Sequence, residues 1–311
     1  MSILQTGRVF SSIIPLRFMI TNLLTGIYYL LIQVRYLLML KAFFLHKIDN
    51  SVNSSIRRSH FFHPDFLVII PTYNHPETLE YAICSVLQQS YKNFRIVIIC
   101  DGITQETREI TAKFKFDRRV TVLEFPKSAR VGEEYRDFAI RNYPSRYVTY
   151  LGDDDLFLPD HLKVMKEELL KYDFSHPVPV YLNKERQIQL LAKTNLREKN
   201  WVNWHVEGPP YKNSISMTGV AHTREIYFCL SEGWTTTPEN RWADHYMWCK
   251  FFSLDGIRLS TSKFSTTIKS PRILFNSLER KQHLEYFYNK LQENSFTKSW
   301  NEAVRQLLDN S

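Results

Sequence analysis

Apolar runs alternate with segments of helical periodicity from residue 66 onward. Runs of strand length cover residues 66–71 (FLVIIP), 94–100, 120–125 and 146–151. Between them, apolar residues recur at helical spacing, as in the helix predicted after the first run, whose apolar face holds Leu79, Ala82, Ile83, Val86 and Leu87. Continuous apolar strands that alternate with amphipathic helices are typical of a mostly parallel sheet covered on both faces. The pattern therefore predicts an α/β fold.

Polar side chains follow three of the predicted strands. Thr72 and Tyr73 come after the first strand, Asp101 after the second, and an acidic triplet at 153–155 after the fourth. Because ligands of such sheets bind beyond the carboxyl ends of the strands, we expect these side chains to line one ligand site.

The acidic triplet has two interpretations. Adjacent carboxylates repel one another unless a cation or hydrogen bonds compensate. Asp153 and Asp155 bracket one residue, a spacing that would let their oxygens and those of a diphosphate share Mg²⁺ or Mn²⁺. The alternative is a solvated acidic turn ahead of the helix predicted near Pro159. The position at a strand end favours a metal.

The composition is that of a folded, basic protein, with 44% hydrophobic residues and a formal net charge of +8. The charge favours an anionic partner: a nucleotide, anionic lipid or nucleic acid. Much of it flanks apolar residues near the N-terminus, and the sequence carries no nucleic-acid-binding motif, so no nucleic-acid partner is expected. Four widely spaced cysteines in apolar contexts indicate free thiols and a reducing compartment.

The N-terminal part of the chain has an uncharged stretch, FMITNLLTGIYYLLIQV, at residues 18–34. Its length is near the lower limit for a spanning helix. Arg35 and Lys41 lie among the apolar residues that follow, as in a helix that rests in the membrane interface. Both arrangements stay open, and a polar linker follows at 47–63. We expect association with the cytoplasmic face of a membrane, either peripheral or single-span.

Three segments, in order, resemble the nucleotide-binding half of the family 2 glycosyltransferases: FLVIIPTYNHPETLEYAICSVLQQSY, VIICDGITQET and YVTYLGDDDLFLPDHL. The resemblance implies a GT-A fold at residues 63–270, preceded by the apolar segment and linker at 1–62 and followed by a helical extension at 271–311. It also implies a nucleotide-sugar donor, UDP-linked, a divalent metal (Mn²⁺ or Mg²⁺) and a glycan or lipid-linked acceptor.

The resemblance assigns roles to individual residues. The residues that it implies for binding the nucleotide-sugar donor are Pro71, Thr72, Tyr73, Asp101, Arg136, Asp153 and Asp154. Among these, Asp101 matches the acid that hydrogen-bonds the base, typically a uracil. The DxD motif of the family matches the triplet, so metal binding is implied for Asp153 and Asp155, with Gly152 standing where many members have another acid.

The segment ENRWADHYMWCKFF resembles the one that carries the catalytic base. The resemblance implies that Asp244 is the general base of an inverting transfer, although Ala243 replaces the usual first acid. A charge that favours the helix dipole is the competing interpretation of Asp244. The Gln-x-x-Arg-Trp motif of processive synthases does not follow Asp244, which favours transfer of one sugar per binding event.

Two other classes of function stay open. A metal-dependent nucleotidyl- or phosphotransferase would use the same carboxylates on phosphate, but no P-loop is present. A catalytically silent nucleotide-binding module would account for the departures at Gly152 and Ala243.

Overall fold

A seven-stranded mixed sheet organises the fold. The computed structural model describes residues 64–183, 185–270, 276–293 and 295–310. The strands, in chain order, are β1 Phe66–Thr72, β2 Phe94–Asp101, β3 Val120–Phe125, β4 Tyr147–Tyr150, β5 Leu156–Phe157, β6 Phe174–His176, β7 Val180–Leu182, β8 Ile188–Leu190, β9 Ala221–Thr223, β10 Leu259–Thr261 and β11 Thr267–Ile268. The helices are α1 Pro76–Leu87, α2 Gln105–Ala112, α3 Glu133–Asn142, α4 His161–Leu169, α5 Lys199–Val206, α6 Arg224–Phe228, α7 Ala243–Phe252, α8 Ser277–Lys290 and α9 Phe296–Asn310.

The sheet is mostly parallel, as the sequence predicts. Its strand order is β10–β6–β9–β4–β1–β2–β3. Strand β1 pairs in parallel with β2 on one side and β4 on the other, while β9 runs antiparallel between β4 and β6. The carboxyl ends of β1, β2 and β4 are therefore neighbours at one edge of the sheet.

The predicted apolar face of α1 is buried against the sheet. Leu79, Ala82, Ile83 and Val86 are fully buried and pack with residues of β1, β2 and β4 in one apolar core. Pro76 occupies the first turn of α1, where its missing N–H is not needed. The alternation of strand and helix thus produces the layered packing that the periodicity predicts.

The helices predicted near the C-terminus are confirmed. Helix α8 begins at a capping box in which Asn276 and Glu279 bond each other's main chain. Leu284 of α8 and Trp300 of α9 belong to a second apolar core that also includes Leu156 of β5. The two helices and the short strands therefore share one core, and the domain boundary at residue 271 stays a prediction.

The predicted N-terminal apolar helix, within residues 1–62, lies outside the described residues. Within the part of the chain that the structure describes, none of the helices combines the length and apolar character needed to cross a bilayer.

Candidate active site

The carboxyl ends of β1, β2 and β4 bring together residues that are predicted to bind the nucleotide sugar. Pro71 and Thr72 are buried at the end of β1, and Thr72 is paired with Cys100, next to Asp101. The main-chain N–H of Tyr73 donates to Asp153 Oδ2 at 3.4 Å. The sheet therefore places the ends of β1 and β4 in direct contact, as the strand-end rule predicts.

Asp101 is held in one orientation by a short segment after β3. Its carboxylate accepts hydrogen bonds from Lys127 Nζ at 2.7 Å, from the main-chain N–H of Ser128 at 2.5 Å and from the Ser128 hydroxyl at 2.9 Å. Gly132, with φ of 75°, comes so close that an added Cβ would lie 3.2 Å from the Asp101 Cβ. The sequence analysis did not identify Lys127 and Ser128 as partners of Asp101. Gly132 was the available signal that the chain passes close to another residue here.

Tyr73 presents an exposed aromatic ring at the carboxyl ends of these strands. Its side chain is 51% exposed, although its main chain is fixed by Asp153. Lys127 Nζ lies 4.7 Å from the centre of the Tyr73 ring, so the lysine joins the tyrosine to Asp101. An aromatic face, a cation and an oriented carboxylate are thus next to one another.

Asp153 and Asp155 have different surroundings. Asp153 Oδ1 lies 3.1 Å from His75 Nδ1, and this contact raises the pKa of His75. Asp155, only 1% exposed, accepts from the Thr218 hydroxyl, from the main-chain N–H of Ser270 at 2.9 Å and from Lys269 Nζ at 3.3 Å. Both oxygens of Asp155 are therefore engaged with protein groups.

The glycine ahead of the triplet is closely surrounded. A Cβ at Gly152 would lie 2.9 Å from Asp155 Oδ2 and 3.2 Å from Asp154 Oδ1. Asp154 itself is buried. An acid at position 152 would require this loop to shift, which is a physical reason for the departure at Gly152.

Arg136, on α3, is a buried cation. It is 4% exposed, and among the described residues its Nε and Nη1 have no hydrogen-bond partner. Its guanidinium lies 4.9 Å from the centre of the Trp234 ring. Burial lowers the pKa of Arg136, and the charge of Glu133 opposes that effect most, with smaller contributions from Asp101 and Asp244. The arginine is thus electrostatically coupled both to Asp101, at the end of β2, and to Asp244, at the start of α7.

Asp244 lies in the first turn of α7. Its Oδ1 accepts from Asn213 Nδ2 at 3.2 Å and from the main-chain N–H of His245 at 2.8 Å. The Asn213 contact comes from a distant part of the chain and orients the carboxylate. Asp244 therefore has a structural partner beyond its own helix, which the sequence did not reveal.

Glu133 bonds to two segments of the site, one near Asp101 and one before Asp244. Its carboxylate accepts from the main-chain N–H of Val131 at 3.0 Å and from that of Thr237 at 3.1 Å. Close by, Arg130 Nη2 donates to the Arg241 carbonyl at 3.3 Å. These bonds connect the segment that surrounds Asp101 to the segment that precedes Asp244.

Sequence comparisons relate the chain to known proteins. The family model described as glycosyl transferase family 2 matches residues 67–223. An uncharacterised glycosyltransferase of Rickettsia conorii is 41% identical over 113 residues, which cover 35% of this chain and 18% of the relative. An Escherichia coli protein, UDP-Glc:alpha-D-GlcNAc-diphosphoundecaprenol beta-1,3-glucosyltransferase WfgD, is 30% identical over 115 residues, or 36% of this chain and 44% of that one. The chain thus spans less than half the length of either relative.

Solved structures share the fold. Residues 1–349 of TarS from S. aureus superpose with a TM-score of 0.54 and 16% identity, covering 74% of this chain and 73% of that one. At this identity the likeness concerns the architecture, which is the GT-A type of mixed α/β sheet.

Proposed function

This chain belongs to glycosyl transferase family 2, and on that premise we propose that it transfers a sugar from a nucleotide-diphosphate sugar to a hydroxyl of a glycan or lipid-linked acceptor. The buried guanidinium of Arg136, with two unpaired nitrogens, is the observation that carries this proposal. Buried donors without an acceptor cost free energy, and the diphosphate of a nucleotide sugar would offset that cost. Thermal unfolding with and without UDP tests this binding, because a ligand of the folded state raises the melting temperature.

The donor is proposed to be UDP-linked. Asp101 would accept the N–H of a uracil, and the exposed ring of Tyr73 would pack on the base or ribose. Pro71 and Thr72 complete this side of the site. The name of the E. coli relative, which gives UDP-glucose as its donor, supports the same choice.

A divalent metal fits this site through few protein ligands. Across the described residues, no group of three or more His, Cys, Asp or Glu side chains is placed to hold an ion. Mg²⁺ commonly needs one or two carboxylates, with substrate phosphates completing its coordination. We assign this role to Asp153, and we assign Asp155 to positioning the loop because it is only 1% exposed and its charge is already paired with Lys269. When bound, the ion supplies positive charge to the departing diphosphate.

The two outer carboxylates should therefore respond differently to substitution. Asp153→Asn is expected to weaken UDP binding in Mn²⁺ roughly tenfold, equivalent to about 1.4 kcal/mol, and to change little in chelator. Asp155→Asn is expected to lower the free energy of unfolding by about 1–3 kcal/mol while the Mn²⁺ dependence remains. Calorimetric titration with Mn²⁺ or EDTA, together with urea unfolding, measures both effects. If Asp155→Asn weakened UDP binding in Mn²⁺ and Asp153→Asn lowered only the free energy of unfolding, Asp155 would be the metal ligand and Asp153 would not.

The chemistry is proposed to be a single displacement at the anomeric carbon. Asp244 takes the proton from the acceptor hydroxyl as the acceptor oxygen bonds to the anomeric carbon. The bond between that carbon and the diphosphate oxygen breaks at the same time, and the anomeric configuration inverts. Asn213 and the main-chain N–H of His245 hold the carboxylate in place during this step.

The acceptor is proposed to be a glycan or a lipid-linked sugar at the cytoplasmic face of a membrane. The uncharged residues 18–34 with their basic flanks support this location, as does the diphosphoundecaprenol acceptor in the name of the E. coli relative. We expect the full chain to sediment with membranes and a chain beginning near His60 to stay in solution. Equal behaviour of the two would argue against this location, and release by high salt alone would favour surface binding over spanning.

A further inference from the structure

Trp242 is exposed at a position that favours a small polar residue. It is the N-cap of α7, yet its side chain makes no capping hydrogen bond, and it is 57% exposed. Ser, Thr, Asp or Asn at an N-cap would stabilise a helix by about 1 kcal/mol relative to a residue that cannot cap. A single exposed aromatic is common on protein surfaces, but here exposure and an unfilled cap coincide.

The main chain that carries Trp242 is rigidly held. The guanidinium of Arg241 lies 4.1 Å from the centre of the Tyr211 ring and 4.9 Å from that of Tyr246. The Arg241 carbonyl accepts from Arg130, and the Trp242 carbonyl accepts from the main-chain N–H of Tyr246 at 2.9 Å. The indole is therefore an exposed aromatic surface on a held main chain, and little backbone entropy would be lost on binding.

The indole is linked to the proposed base through His245: the centres of the Trp242 and His245 rings are 6.2 Å apart, and the His245 main-chain N–H donates to Asp244 Oδ1. Asp244 is two residues further along the same first turn, and Asn213 donates to it. An acceptor whose hydroxyl meets Asp244 would thus have an aromatic surface and an amide within reach. A pyranose ring offers a matching combination, because its ring C–H groups form an apolar face while its hydroxyls point outward.

Taking the proposed transfer to be correct, we propose that Trp242 stacks against the pyranose ring of the acceptor, in a sugar subsite next to Asp244. The neighbouring surface favours a sugar over a lipid headgroup layer. Glu239 and Asn240, which precede Trp242 closely, are exposed. The Glu239 carboxylate would be repelled by an anionic membrane, whereas it and the Asn240 amide can accept hydrogen bonds from sugar hydroxyls.

Ligand-observed NMR with soluble glycosides tests this subsite. The probes are methyl β-D-glucopyranoside and methyl 2-acetamido-2-deoxy-β-D-glucopyranoside, with sorbitol as an acyclic polyol control, all in the presence of UDP and Mn²⁺. Saturable binding of at least one glycoside is expected. Trp242→Ala should weaken it roughly tenfold or more, and Trp242→Phe, which keeps an aromatic face, should weaken it less. The matched control is Phe116→Ala, which removes an aromatic that is 85% exposed and lies outside the site.

Three results would overturn the subsite, two from glycoside binding and one from membrane binding. One is the absence of glycoside binding to the native protein, and the other is equal glycoside affinity in native protein and Trp242→Ala. A blue shift of tryptophan emission on anionic phospholipid vesicles that disappears in Trp242→Phe would assign the indole to a membrane surface and overturn it as well. UDP-induced stabilisation, measured on the same samples, separates the two proposals: normal UDP binding with glycoside affinity unchanged by Trp242→Ala rejects the subsite alone.

Discussion

Replacing Asp244 with asparagine is expected to lower the rate of sugar transfer by a factor on the order of 10² to 10⁴. An asparagine keeps the size of the side chain and its ability to accept from the His245 N–H, but it cannot take a proton from the acceptor hydroxyl. UDP and metal binding should therefore stay near the native values, since the lost step is proton removal. The measurement is UDP release from a UDP-sugar, compared with UDP affinity on the same purified variant.

A control within the same region distinguishes the base from a general loss of negative charge. Asp255 is an exposed acid in the turn that follows α7, so Asp255→Asn removes the same charge away from the site. We expect normal turnover from this variant. If Asp244→Asn also turned over normally, Asp244 would be a charge that merely favours the start of α7, worth about 1 kcal/mol or less in stability. Loss of folding in Asp244→Asn would instead show that the Asn213 contact is needed for structure, and it would contradict the assignment of a purely chemical role.

Replacing Arg136 with methionine is expected to weaken UDP binding roughly 10- to 100-fold without loss of stability in the ligand-free protein. Hydrogen bonds from a charged donor contribute about 1.5–3 kcal/mol each, and the buried Nε and Nη1, which have no acceptor among the described residues, are the donors that a diphosphate bound beside Arg136 would satisfy. Methionine fills a similar volume beside Trp234 and carries no charge. Because two buried donors of Arg136 have no acceptor among the described residues, the melting temperature without nucleotide should stay the same or rise.

Arg141→Met is the matched control for this prediction. Arg141 is on the same helix, but it is exposed and paired with Asp137 at 2.7 Å. Its replacement should leave UDP affinity unchanged. Unaltered UDP affinity in Arg136→Met would remove the arginine from the donor site. A marked loss of ligand-free stability in that variant would show that its stacking on Trp234, not its charge, is what the fold requires.

Much of the sheet and the donor edge is predictable from sequence because its signals are local. Continuous apolar strands identify β1, β2, β3 and β4, and the strand-end rule then selects Asp101 and Asp153. The short strands β6 to β11 have two or three residues each, which is too few for any periodicity to register. Helix α2 ends at Ala112, because residues 113–116 form turns and leave Phe116 exposed.

The partners that orient the site residues are not predictable in the same way. Thr218 and Ser270 are 63 and 115 residues from the Asp155 that they bind. Asn213 is 31 residues from Asp244. Such contacts depend on how distant loops pack, and no pattern along the chain marks them. The acidic triplet illustrates the consequence, because its carboxylates look equivalent in sequence. The fold gives Asp153 a histidine and a main-chain N–H, whereas it gives Asp155 a lysine, a hydroxyl and a main-chain N–H.

Release of UDP from nucleotide sugars tests the central proposal most directly. Purified full-length protein would be incubated with Mn²⁺ and, separately, with UDP-glucose, UDP-galactose and UDP-N-acetylglucosamine labelled in the sugar, together with a membrane lipid and glycan extract as acceptor. We expect UDP to appear in step with labelled sugar in the acceptor fraction, with inverted anomeric configuration by NMR, and Asp244→Asn to abolish both. Label that moves with a phosphate group would instead indicate a phosphotransferase, and tight UDP binding without turnover of any of the three donors would indicate a silent nucleotide-binding module; either result would contradict the proposed sugar transfer.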